Sequence, residues 1–285
     1  MTCAAIISCY NQHETVARCL RAFERQTRRP DGIVIADDGS RRTPGLGGFV
    51  PRGLSVVHVW QPDEGNRKPA ALNRAVAHAD ADALVFVDAD CLPHRRFVED
   101  HMRLLAKFPG RYIQGSRAEV LEPFAPGFDP GFRTTLGYIL RGKITSRIKA
   151  IRFPGILRRF VWGGPFYPCG SNISCRKSDY VAINGYDEEF SGSYNEDRDF
   201  CYRLQAAGIA PVEASGCCIL FHLGHQSRGY SAENSRRIED KLRTGRLEPA
   251  LGFAGTCDRP PQPVVEILTG PSPAGAAARR RPSVR

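Results

Sequence analysis

The tripeptide Asp88-Ala89-Asp90 follows an apolar run, Ala83 to Val87, with the length and composition of a buried strand. Two carboxylates at the carboxyl end of such a strand project from the sheet edge where open α/β folds bind their ligands. Spaced i and i+2, they can share one hard divalent cation, which in turn can carry a diphosphate. An acidic surface turn would read the same way in isolation. Two other clusters invite a similar double reading. Ala36-Asp37-Asp38-Gly39-Ser40 is either an Asp-Gly turn or a strand end whose carboxylate binds a ribose hydroxyl or a base. Gly65-Asn66-Arg67-Lys68 leads into a helix bearing Ala71 and Asn73, and its basic pair either meets phosphate or base or caps the helix in water.

The elements that must position these groups alternate over about the first 120 residues. Ala4 to Cys9, Ile33 to Ala36, Leu54 to Trp60 and Ala83 to Val87 read as strands. Glu14 to Gln26 has helical spacing through Val16, Cys19, Leu20 and Phe23, and Lys68 to His78 and Phe97 to Phe108 read as further helices. This succession implies an α/β domain with a mostly parallel sheet covered by helices. Beyond Arg111 the pattern weakens, and residues 122 to 136 are rich in Pro, Gly and Phe. Order returns at Pro168 to Tyr186 and in a helix from Glu196 to Ala207, while the tail from Arg259, with its Pro and Ala/Gly/Arg run, reads as disordered.

Composition removes several function classes. No stretch of the 285 residues approaches the ~20 apolar positions of a membrane-spanning helix, and no basic region precedes an apolar one at the start, which predicts a cytoplasmic protein. In that compartment the ten cysteines are expected to be free, and Cys3, Cys9, Cys19 and Cys201 sit in apolar runs as small core residues. Cys217-Cys218 with His222 and His225 has poor spacing for a structural zinc. The net charge of +10 is concentrated in two places: five Arg against Glu266 in residues 259 to 285, and seven Lys and Arg with no acid in residues 141 to 159. The remainder is close to neutral, which argues against a nucleic-acid surface and for local contact with an anionic partner or a membrane.

Asp-Asp-Gly-Ser after the second strand, Gly-x-x-x-x-x-Ala-x-Asn at the next helix, Asp-x-Asp after the fourth strand, and Asn195-Glu196-Asp197-Arg198-Asp199 before Tyr202-Arg203-Leu204 occur in this order. As a set they resemble the family 2 glycosyltransferases of GT-A fold, and Gly170-Ser171-Asn172-Ile173-Ser174 through Gly185-Tyr186-Asp187-Glu188-Glu189-Phe190 looks like that family's acceptor-side region. The resemblance covers roughly residues 2 to 225. It implies one GT-A domain: residues 1–120 bind a nucleotide sugar, residues 121–258 supply the acceptor side and the base, and residues 259–285 form a disordered basic tail. It implies that Asp38 and Asp37 hold the uracil or ribose, that Arg67 or Lys68 lies near base or diphosphate, and that Asn73 belongs to the same region. Asp90 would bind Mn²⁺ or Mg²⁺ while Asp88 faces ribose or metal. A histidine after the last core strand would complete the metal site, His222 being preferred over His225 because Ile219-Leu220-Phe221-His222 places it at the strand end. Asp197 would be the catalytic base, with Glu196 and Arg203 orienting it or meeting the acceptor.

That assignment makes chemical sense without the family. Displacing a diphosphate from an anomeric carbon requires a deprotonated nucleophile on one face and charge neutralisation on the other. The expected reaction is inverting transfer from a UDP-linked or similar donor to a glycan, lipid-linked or other hydroxyl acceptor, without nucleic acid. A nucleotidyltransferase is an alternative, but Tyr10-Asn11-Gln12-His13-Glu14 lacks the glycine-rich basic loop that wraps a triphosphate. A NAD-linked oxidoreductase lacks its G-x-G-x-x-G, and a non-catalytic nucleotide-sugar-binding module would have no need of Asp197. Within residues 141–161, Ile144, Ile148 and Ile151 predict an amphipathic helix up to Phe153, ended by Pro154-Gly155. Such a helix would either lie on an anionic membrane at the inner face, pack on the catalytic domain, or meet acceptor phosphates.

Overall fold

The structure is a computed structural model that describes residues 1–41, 46–51, 53–121, 130–153, 168–192, 194–224 and 231–268. Its first strand, β1 (Cys3–Cys9), is buried at every position, as a strand must be when both sheet faces are covered. Odd-numbered Cys3, Ala5, Ile7 and Cys9 pack into one core with Val16, Leu20, Phe23, Val98 and Leu105. Even-numbered Ala4 and Ile6 enter a second core with Leu72, Val76, Tyr180, Phe200 and Leu204. The period of two in a strand thus divides the domain into two layers.

Strand β1 pairs in parallel with β2 (Gly32–Asp37) and β4 (Ala83–Asp88), and β3 (Val56–Trp60) adds to β2 in the same sense. All four therefore point their carboxyl ends to one edge. Three short strands, β6 (Arg111–Gln114), β8 (Ile173–Arg176) and β9 (Ala210–Glu213), extend the sheet beyond β4, and β11 (Val264–Leu268) closes the opposite edge. The order is β11-β3-β2-β1-β4-β8-β6-β9, with β8 antiparallel to both its neighbours and β11 antiparallel to β3. A second sheet of β5 (Cys91–Pro93), β10 (Ile219–Leu223) and β7 (Ser116–Val120) stands at the end of β4. Helices α1 (His13–Glu24) and α3 (Phe97–Lys107) cover one face of the large sheet and α2 (Lys68–Ala77) the other. The remaining helices are α4 (Phe132–Leu140), α5 (Lys177–Ala182), α6 (Glu196–Ala206) and α7 (Ala232–Thr244). Mostly parallel strands flanked by helices are what the alternating pattern implied.

Two expectations are corrected. Residues 141–153 do not form one amphipathic helix: Ile144 is buried and bridges Val120, Ser146 is left-handed, and only Arg147–Ala150 makes a helical turn. Pairing of Ile144 with the edge of β7 outweighs the i, i+4 spacing of the isoleucines. Residues 154–161 lie outside the described residues. The expected disordered tail contains β11, whose Val264 to Leu268 pair with Trp60 to Val56. Among the described residues no helix is long and apolar enough to cross a membrane.

Charge is also buried beneath the site. Lys241 on α7 donates to Asp187 Oδ2 at 2.5 Å and Asp199 Oδ1 at 2.9 Å, and Arg203 donates to Asp199 Oδ2 at 2.7 Å. Removing one partner of such a cluster leaves an uncompensated buried charge. Lys241→Met should therefore cost about 3 kcal/mol, read as a lower urea midpoint. A second buried group makes stability depend on pH. The His101 imidazole, bonded to Ser174 Oγ at 2.8 Å and Asn172 Oδ1 at 3.0 Å, is pushed down to about 4 chiefly by burial. Neutral in the fold but protonated when unfolded, it should cost up to about 3 kcal/mol as pH falls from its ordinary value towards 4, and His101→Gln should flatten that loss.

Candidate active site

The sheet edge gathers the first group of side chains. Asp88 at the end of β4 accepts from Ser8 Oγ of β1 at 2.5 Å and pairs with Lys68 Nζ at 2.9 Å. Lys68, in the first turn of α2, also lies 3.8 Å from Glu196 Oε1. Burial opposes the charge on Lys68, but Asp88, Asp197 and Glu196 outweigh it and hold the ammonium well above its ordinary range. Asp88 is correspondingly depressed against its own burial, chiefly by Lys68 and the Ser8 bond.

Glu196 and Asp197 open α6 after two residues, Tyr194 and Asn195, with left-handed backbone at φ 71° and 76°. Non-glycine residues rarely adopt this conformation. Here α7 holds it, with Asn234 Nδ2 donating to Tyr194 O at 3.0 Å and Asn195 Nδ2 donating to Ser235 Oγ at 3.2 Å. The turn delivers Asp197 Oδ2 to the Gly170 backbone N–H at 3.0 Å. A Cβ on Gly170 would stand 1.8 Å from Asp197 Oδ1, so a larger residue there would displace the Asp197 carboxylate. Asp197 Oδ1 and Glu196 Oε2 are buried and take no hydrogen bond from the described residues. Burial, and after it the Asp197 charge, lifts the Glu196 carboxyl to about 7. Burial likewise raises Asp197, with Lys68 pulling the other way.

The second group sits where the small sheet meets the large one. In β10, His222 is paired with Cys91 of β5 on one side and Glu119 of β7 on the other. Paired residues share a face, so three side chains with ligating atoms are brought together by register alone. His222 Nδ1 lies 2.5 Å from Glu119 Oε2, and its Nε2 lies 3.7 Å from Asp90 Oδ1. Burial acts against protonation of His222, but Glu119 and Asp90 outweigh it and raise its affinity for a proton. Gln12 Nε2 donates to Asp90 Oδ2 at 3.3 Å, and Arg117 Nε pairs with Glu119 Oε1 at 2.8 Å.

Asp38 lies beside this edge, accepting from Gln61 Nε2 at 2.6 Å and the Arg67 backbone N–H at 2.7 Å, and burial lifts it to about 6. The Arg67 guanidinium pairs with Glu64. Gly39 has a φ of +94°, and a Cβ there would meet Asp63 Cα at 2.5 Å, which explains the glycine after Asp38.

Three expected site residues make hydrogen bonds within the fold. Asp37 is 1% exposed, accepting from the Ser40 N–H at 2.8 Å and bonding His58 Nε2 at 2.8 Å, and these bonds hold its carboxyl below the ordinary range although burial alone would raise it. Asn73 is fully buried and clasps the Tyr186 backbone through both its N–H and C=O, with Tyr180 Oη donating to Asn73 Oδ1 at 2.5 Å. Arg203 donates to the carbonyls of Ile183 and Gly185 at 2.7 and 2.6 Å besides Asp199, so it ties α6 to the loop after α5. His225 lies outside the described residues. Glu119 and Cys91 were not singled out in the sequence, and Gly170 entered only as the start of an acceptor-side motif. The alternation in Ser116-Arg117-Ala118-Glu119-Val120 was the available signal for Glu119, since its burial follows that alternation.

Comparison with known proteins agrees with this geometry. The family model for Glycosyl transferase family 2 matches residues 4–161, more than half of the chain, and the model described as the N-terminal domain of galactosyltransferase matches residues 165–226. A validoxylamine A glucosyltransferase of Streptomyces hygroscopicus subsp. limoneus is 26% identical over 230 residues, covering 72% of this chain and 48% of that protein. The chondroitin synthase of Escherichia coli is 26% identical over 221 residues, covering 71% of this chain and 32% of that protein. The chain thus spans about half the length, or less, of these relatives. Among solved structures, GalNAc-T7 with UDP, GalNAc and Mn²⁺ superposes with a TM-score of 0.62 at 14% identity, over 89% of this chain and 52% of that one. S. aureus TarS 1-349 in complex with UDP gives 0.58 at 14% identity, over 90% and 68%. These two share the GT-A fold. With the family model spanning β1 to β7 and the strand-end carboxylates, the chain belongs to glycosyl transferase family 2.

Proposed function

We propose that the chain transfers a sugar from a nucleoside-diphosphate donor, UDP-linked, to an acceptor hydroxyl with inversion in a single displacement. The observation that carries this reading is Asp197: a carboxylate held by the Gly170 N–H through one oxygen, with its other oxygen buried and unbonded among the described residues. A carboxylate so placed can take the proton of a hydroxyl as that oxygen attacks the anomeric carbon. Its raised proton affinity makes it a stronger base than an exposed aspartate. Lys68 keeps Asp88 ionised and shields Asp197 from it, while Asp38, oriented by Gln61 and the Arg67 N–H, is placed to accept from a base or ribose. The names of the relatives, a glucosyltransferase and a polysaccharide synthase, and the UDP in both structural neighbours support the donor class and a sugar-type acceptor.

The donor set at Asp90 and His222 fits a divalent cation, Mn²⁺ or Mg²⁺. With Glu119 accepting the Nδ1 proton, Nε2 would be the ligating nitrogen, 3.7 Å from Asp90 Oδ1. A cation bound there would neutralise the charge that develops on the departing diphosphate.

Asp197→Asn should preserve donor binding while lowering turnover by roughly 10²- to 10⁴-fold. The pH profile gives a separate check on the carboxylate pair. Turnover should rise with pH as Asp197 loses its proton, and Asp88→Asn, by removing the neighbouring negative charge that raises Asp197, should move that rise to lower pH. An unmoved profile would remove the coupling from the account. For the metal, EDTA should abolish transfer and Mn²⁺ restore it in the native chain, whereas Asp90→Ala should stay inactive at any Mn²⁺ concentration; full activity of Asp90→Ala in chelator would sink the assignment.

A further inference from the structure

We propose that Cys91 is a third protein ligand of the metal centre, so that the centre favours a thiophilic dication, Zn²⁺ or Co²⁺, over Mg²⁺ and Mn²⁺. The inference rests on the metal reading of Asp90 and His222 and extends it. Cys91 is fully buried, and a buried cysteine is ordinarily a small core residue. Cys91 belongs to the core beneath the sheet, yet it also borders ligating groups. It is register-paired with His222, its Sγ lies 3.5 Å from Asp90 Oδ1, and the donor atoms of Asp90, Cys91 and His222 all fall within 4.8 Å of one another.

Two of the three separations match a tetrahedral ion. With metal–sulfur bonds of about 2.3 Å and metal–nitrogen or –oxygen bonds of about 2.0 Å, tetrahedral ligand atoms stand about 3.3 to 3.5 Å apart. The measured 3.5 Å for Sγ to Oδ1 and 3.7 Å for Nε2 to Oδ1 need little contraction. Three protein ligands leave one position open, the arrangement of catalytic rather than structural zinc, and a diphosphate oxygen can take it. Glu119 on Nδ1 supplies the outer carboxylate that fixes a ligating histidine. On binding, the Cys91 S–H bond breaks, its proton passes to solvent and the sulfur lone pair forms the metal bond, with no change of oxidation state. Mg²⁺ and Mn²⁺ prefer oxygen donors and gain little from a thiolate.

The test is anaerobic titration of the chelator-stripped full chain with Co²⁺ alone. A near-ultraviolet sulfur-to-cobalt charge-transfer band should grow to one equivalent, with the intense visible bands of a tetrahedral site. Cys91→Ser should abolish the ultraviolet band and weaken Co²⁺ binding about tenfold or more while leaving Mn²⁺ binding nearly unchanged, and Cys169→Ser and Cys257→Ser should retain the band. Should Cys91→Ser fail to fold by near-ultraviolet circular dichroism, ¹¹³Cd NMR of the native chain reads thiolate ligation directly from the chemical shift. Co²⁺ binding without thiolate character, or a band that survives Cys91→Ser, would overturn the inference and leave the transferase reading standing. Binding of neither Co²⁺ nor Mn²⁺ would overturn the inference together with the metal reading of Asp90 and His222.

Discussion

The ammonium of Lys68 is the interaction on which the rest of the site depends. Three carboxylates from two distant parts of the chain, Asp88 on β4 and Glu196 and Asp197 on α6, converge on it. Without a cation between them, burial and mutual repulsion would drive protons onto these groups or push α6 away from the sheet edge. With it, Asp88 stays ionised while Glu196 and Asp197 keep elevated proton affinities. One lysine in the first turn of α2 therefore separates carboxylates of different character within a single cleft.

The backbone imposes the second constraint. The parallel strands β1, β2 and β4 end at one edge and fix Asp38, Ser8 and Asp88, while the register of the small sheet fixes Cys91, His222 and Glu119 in a row. The two sheets are joined by Ala89-Asp90, whose Asp90 carbonyl accepts from the Leu223 N–H at 2.9 Å. The candidate metal ligands and the carboxylates around Lys68 thus meet at a two-residue connection.

Much of this was legible in the chain. Buried parallel strands announce themselves as apolar runs, and β1, β2 and β4 did so, with the acidic clusters at their ends. Asp197 was singled out through the order of motifs and His222 through its place at a strand end. What remained hidden was the partnering of polar residues across long sequence separations. Asn73, Asp187, Asp199 and Arg203 look like site residues because they are polar and stand among site motifs, yet Tyr186, Lys241 and the carbonyls of Ile183 and Gly185 consume their hydrogen bonds. The isoleucine spacing at 144–151 obeyed a helical period, but a single bridge to Val120 decided the local conformation. Tertiary pairing overrode local pattern at that position.

The central claim, a direct displacement with Asp197 as base, is tested most directly by stereochemistry. With UDP-α-glucose as donor and water as acceptor, proton NMR of the first sugar released, recorded before mutarotation, reports the configuration at the anomeric carbon. The account predicts β-glucose as the initial product; α-glucose would mean retention and would contradict a single displacement assisted by Asp197.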